Sequence, residues 1–90
     1  PEIKRDLALV ADESRTCAQI SRVIEEASKY VSEVALFDVY RGAQVGEGKK
    51  SMAFTVTFTP GEKAMKPEDA DAQIKRILRA LSEKLSVVLR

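Results

Sequence analysis

The sequence predicts an α+β sandwich, a four-stranded antiparallel sheet with two helices packed on one of its faces. Three observations lead there. Apolar residues recur at helical spacing along a single stripe in two segments, 17–31 and 70–85. Residues 51–59 alternate strictly between large apolar and small or hydroxyl side chains, the mark of a strand with one buried face. The elements follow one another as β-α-β-β-α-β, and two one-sided helices in that order must cover the same side of the sheet and leave the other side open.

Each element has its own justification. Asp6–Ala11 (DLALVA) is a short apolar run that reads as a strand buried on both faces. Asp12, Glu13 and Ser14 then supply helix-start chemistry. The first helix carries Cys17, Ile20, Val23, Ile24, Ala27 and Val31 on its inner stripe, and Arg22, Glu25, Glu26 and Lys29 on a solvated face. Val34–Arg41 is the second strand, and Gly42, Gly46 and Gly48 mark the loop after it. Lys50–Thr59 is the third strand, ended by Pro60 and Gly61. Pro67 suits the first turn of the second helix, with Glu68, Asp69 and Asp71 near its positive end. Ala70, Ile74, Ile77, Leu78, Leu81 and Leu85 form that helix's stripe, and Val87–Leu89 is a last short strand. Residues 1–90 therefore read as one domain of the ferredoxin-like type. The chain begins at Pro1 without an initiator methionine and reads as a fragment of a longer or processed protein.

Composition excludes several kinds of chemistry. The chain is 44% hydrophobic and 32% charged, with a net charge of +1, so any basic surface must come from local clustering. Its one cysteine, Cys17, lies on the inner stripe of the first helix and reads as core. No internal disulfide is possible, which fits a cytoplasmic setting. There is no histidine, which excludes Ser-His-Asp and Cys-His nucleophiles and the usual zinc sites. No apolar run approaches the ~18 residues that cross a membrane. Gly48-Lys49 is not a phosphate-binding loop: Ala43 stands where its first glycine belongs, Lys50 where its hydroxyl residue belongs, and a strand follows instead of a helix. Acylphosphatase-like chemistry on this fold needs an asparagine, and the chain has none.

The open sheet face is the candidate site. With Met52, Phe54, Val56 and Phe58 turned to the helices, Ser51, Ala53 and Thr55 face out. On the second strand Phe37 and Val39 are the natural inward partners, leaving Leu36, Asp38 and Tyr40 outside. A hairpin register with Tyr40 opposite Ser51 puts Asp38 opposite Ala53 and Phe37 opposite Phe54. The face then offers an aromatic plane, a carboxylate acceptor, a hydroxyl and small neighbours that leave room for something flat. Arg41, Lys49 and Lys50 stand beside it. Such a platform stacks an unpaired base while polar groups read its edge and cations hold phosphates. A carboxylate suits guanine, which offers two donors on one edge. The aromatic pattern of RNA-recognition motifs is absent, because the outer face of the third strand carries only Ser51, Ala53, Thr55 and Thr57. These residue types are also ordinary strand and hairpin residues. A second reading is thus a protein-interaction or small-ligand regulatory domain that dimerises through this face, with Leu36 in the contact.

Four stretches carry a resemblance to a known family. Arg5–Val10 (RDLALV), Leu36–Tyr40 (LFDVY), Gly48–Ser51 (GKKS) and the terminal Leu89-Arg90, in this order and spacing, resemble the ferredoxin-fold anticodon-binding domain. That domain closes the β subunit of bacterial phenylalanyl-tRNA synthetase. The resemblance implies a non-catalytic module without a cofactor, holding the anticodon stem-loop of phenylalanine tRNA. The parent enzyme uses ATP and Mg2+ and pairs with an α subunit in a heterotetramer, with no membrane involved. It further implies that Asp38 and Tyr40 meet the first anticodon base, a guanine, with Ser51 beside them. Arg5 and Arg90 match the family's arginines. Lys66-Pro67 at the entry of the second helix and Val87-Val88 before the final pair depart from the family's usual Thr and Gly-Ala.

Overall fold

The computed structural model describes residues 1–90. Its elements are β1 (Ile3–Asp12), α1 (Cys17–Ala27), β2 (Val31–Tyr40), β3 (Lys49–Phe58), α2 (Pro67–Leu85) and β4 (Val88–Leu89). The strands lie in the order β2-β3-β1-β4, every neighbouring pair antiparallel. This is the ferredoxin-like arrangement. Leu7, Leu9 and Ala11 of β1 and Met52, Phe54, Val56 and Phe58 of β3 are buried together with Ile20, Val23 and Ile24 of α1 and Ala70, Ile77 and Leu81 of α2. The opposite side of the sheet carries no helix.

The structure revises several sequence expectations. β1 starts at Ile3, and it is buried on one face only: Ala8 and Val10 are half-buried on the open side. Residues 12–14 do not begin α1. Thr16 does, accepting from the backbone N–H of Gln19 at 3.1 Å while the Gln19 side chain accepts from the Thr16 N–H at 2.9 Å. This reciprocal cap leaves Asp12 and Glu13 free for other partners. α1 stops at Ala27, because Ser28 is extended and its hydroxyl donates to Gln73 of α2 at 2.7 Å. Val31 therefore opens β2 rather than closing a helix.

The largest revision lies in β2. Tyr40 faces Ser51 and Asp38 faces Ala53 as expected, but Leu36, not Phe37, faces Phe54. Phe37 is the extra residue of a β-bulge and is 58% exposed. By register Val34, Leu36 and Val39 stand opposite Val56, Phe54 and Met52 on the helix side, although only Val34 packs against the core and Leu36 and Val39 stay over a third exposed. Val34 and Leu36 are even-numbered and Val39 is odd-numbered, so no regular strand can put all three on that side. One inserted residue resets the alternation. It moves Leu36 off the open face and leaves Ala35 there instead, opposite Thr55.

α2 begins with the Asp69 carboxylate accepting from the Lys66 N–H at 2.9 Å. It ends with Ser86 in the left-handed region at φ 55°, where its N–H reaches the Ser82 carbonyl and the Val87 N–H reaches that of Leu81, each at 3.1 Å. This turn buries Val87 and lays β4 against β1, with Val88 beside Val10 and Leu89 beside Leu9. It also delivers Arg90 to the open face, its backbone N–H donating to the Ala8 carbonyl at 2.9 Å.

Candidate nucleic-acid interface

Two rows of residues run across the open face. One contains Asp38, Ala53 and Ala8, and meets Arg90 at the β4 edge. The next contains Tyr40, Ser51, Val10 and Val88. Two alanines side by side make a low floor between taller flanks. A third row places Ala35, Thr55 and Asp6 together, and the Thr55 hydroxyl donates to Asp6 at 2.8 Å. Asp6 is thus already engaged. Asp38 is exposed and enters no ion pair, so its carboxylate is free to accept from a ligand.

Arg90 reaches back over two strands. Its guanidinium lies 5.0 Å from the centre of the Tyr40 ring. One terminal nitrogen donates to the Gln44 side-chain carbonyl at 3.1 Å and the other approaches the Ser51 hydroxyl at 3.5 Å. Tyr40, Ser51, Asp38 and Arg90 are therefore one cluster. Gly42 belongs to it as well: a Cβ there would come within 2.4 Å of the Tyr40 hydroxyl and 2.8 Å of its ring carbon. The missing side chain is what lets the phenol lie where it does. The sequence marks Gly42 only as a loop residue and gives Gln44 no role. A glycine two residues after an exposed aromatic is a usable signal, whereas nothing local marks Gln44.

The expected phosphate-binding cations are arranged differently. Lys49 is on the open side but pairs with Asp12 at 2.6 Å. Lys50 has the parity of Met52 and Phe54, so it points to the helix side; it is 8% exposed and its ammonium reaches Glu13 at 3.5 Å. Arg41 grips the same Glu13 with two bonds, the outer one 2.8 Å long. The Glu13 backbone N–H also donates to the Gly48 carbonyl at 2.9 Å. The Arg41 hydrogen bond holds the Glu13 carboxyl down at about 2, and the hydrogen bond from Lys49 likewise lowers that of Asp12. Glu13 in turn raises the Arg41 guanidinium. Arg41 at the start of the 41–48 loop, and Lys49 and Lys50 at the start of β3, are thus fastened to the end of β1. Arg5 stands apart: it shares the inward parity of Leu7, contacts the Pro67 carbonyl at 3.4 Å and pairs with Asp71 at 3.5 Å, against the start of α2. It is not part of the Tyr40 cluster.

The family model for the ferredoxin-fold anticodon binding domain matches residues 1–90. The chain belongs to this family. Its relatives agree with that placement. The chain is 41% identical over 91 aligned positions to the phenylalanine–tRNA ligase beta subunit of Listeria monocytogenes serotype 4b (strain F2365), 40% over 91 to that of Bacillus subtilis (strain 168), and 43% over 89 to that of Lactococcus lactis subsp. lactis (strain IL1403). The alignments cover 98–100% of this chain and 11% of each relative, so this anticodon-binding domain spans about a ninth of those proteins. No helix in it is long and apolar enough to cross a membrane.

Proposed function

We propose that this anticodon-binding domain works as part of a phenylalanine–tRNA ligase β chain and holds the anticodon stem-loop of phenylalanine tRNA on its open sheet face. The observation that supports this best is the Tyr40 cluster. An aromatic ring, an unpaired carboxylate, a buried hydroxyl and a two-alanine floor converge on one side of a sheet whose other side is filled by core. Tyr40 stacks the first anticodon base. Asp38 accepts from the two donors on the Watson–Crick edge of guanine, and Ser51 fixes the base plane from beside. Arg90 supplies positive charge at the same place. Lys49, Lys50 and Arg41 act chiefly through the loop they hold, with only part of their charge left for phosphates because Asp12 and Glu13 oppose it. Arg5 supports the entry of α2. The chemistry of the parent, with ATP and Mg2+, takes place in its α subunit, and this domain contributes binding energy only. The enzyme acts in the cytoplasm as an αβ heterotetramer.

The test compares binding of a phenylalanine anticodon stem-loop to the domain and to Tyr40→Ala, followed by fluorescence anisotropy at low salt. Loss of the ring should weaken binding by about 1–3 kcal/mol and narrow the gap between the native loop and one with its first base changed. Equal binding of both loops by both proteins would remove Tyr40 from base recognition.

A further inference from the structure

We infer that Gln44 is a positioning residue of the anticodon site: it parks the Arg90 guanidinium over the Tyr40 ring in the free domain, and a base stacks on Tyr40 by displacing that guanidinium. This rests on the anticodon reading proposed above and adds a step to it. Three distances carry it. The guanidinium is 5.0 Å from the ring centre. A base slipped between ring and guanidinium needs about 7 Å, two contact layers of about 3.5 Å each. The present gap is too small for a sandwich and close enough for a cation–π contact. The guanidinium therefore occupies the stacking position.

The other two distances show what holds it there. Gln44 accepts from one guanidinium nitrogen at 3.1 Å, whereas the approach to Ser51 is 3.5 Å. Gln44 is thus the stronger restraint. It sits on the 41–48 loop, whose two ends Glu13 and Asp12 fasten through Arg41 on one side and Lys49 and Lys50 of β3 on the other. Gly42 on the same loop sets the hydroxyl end of the phenol. One loop thereby fixes both the platform and the group that covers it. The free face is kept from stacking on unrelated apolar or aromatic surfaces, and Arg90 becomes free to meet a phosphate or base acceptor only when a base has taken its place.

Gln44→Ala tests this without altering charge. In the free domain the Arg90 side-chain protons should lose the upfield ring-current shift that Tyr40 imposes. Gln44→Glu, which keeps an acceptor at that point, should retain the shift. The stem-loop should bind Gln44→Ala about two- to five-fold more tightly than the parent, the fold-change corresponding to one exposed cation–π contact. Unchanged or weaker binding by Gln44→Ala, with the stem-loop still perturbing Tyr40, would overturn the displacement and leave the anticodon reading intact. Retention of the Arg90 shift in Gln44→Ala would overturn the positioning role. No perturbation of Tyr40 by RNA in the parent domain would overturn the anticodon reading and the displacement together.

Discussion

At the scale of single residues, the site depends on what is absent as much as on what is present. Tyr40 can pack its phenol against residue 42 because Gly42 has no side chain, and the floor is low because Ala8 and Ala53 are small. Gly42→Ala should therefore act on RNA binding far more than on stability. Its added methyl must push the Tyr40 hydroxyl aside from 2.4 Å, and 42 lies on an exposed loop outside the core. The expected result is a domain that melts within a few degrees of the parent and binds the stem-loop several-fold more weakly. A melting curve and a binding isotherm on the same sample decide it. Asp38 and Tyr40 were legible in the sequence because period two puts them on one face with Ser51. Arg90 reached the same cluster only through the family resemblance. No local rule says that a terminal arginine on an edge strand will cross two strands to lie on an aromatic ring.

At the scale of elements, the bulge in β2 and the clasp at Glu13 each make a prediction. An unbroken β2 would bury Phe37 against Phe54. The bulge instead leaves Phe37 58% exposed and pairs Leu36 with Phe54. Phe37→Ser should then change stability by less than about 1 kcal/mol, in the range of surface substitutions. Phe54→Ala, at a fully buried position, should cost about 3–5 kcal/mol. Urea titration of the two variants separates these cases. Glu13 joins Arg41 and Lys50 to the end of β1, and its folded carboxyl lies near 2 against an ordinary value of 4.5. A depressed carboxyl stabilises the fold above its unfolded value, and that stabilisation is lost as pH falls through the folded one. Melting temperature should fall between pH 4.5 and about 2. Glu13→Gln should be less stable than the parent at pH 7 and should show a shallower fall over that window.

The element scale also shows where the sequence is opaque. The helical stripes and the alternation of β3 were plain because each is one unbroken period. β2 mixes two phases of alternation, so an uninterrupted pattern assigns Phe37 and Leu36 to the wrong faces. Asp12 and Glu13 look like helix-start residues because acids precede an apolar stripe. Thr16 and Gln19 form the better-matched cap, and the acids go to cations that are distant in sequence. Such long-range pairings leave no periodic trace.

At the scale of the whole molecule, the domain is a sheet with one committed face and one available face. Its net charge is only +1, and three of the cations near the site are opposed by Asp12 and Glu13. RNA binding should therefore depend weakly on salt for a protein with this many basic residues. Lys49→Ala should lower the slope of log affinity against log salt by less than the ~0.7 expected for one free phosphate contact on a single strand. Whether the open face reads a base is decided by following backbone amide shifts while the domain is titrated with the native anticodon stem-loop and with one whose first anticodon base is changed. A base-reading face gives shifts clustered at Asp38, Tyr40, Ser51 and Arg90, clearly smaller for the altered loop. Shifts confined to lysines and indifferent to the base, or centred on the helix side near Arg5, would contradict that reading.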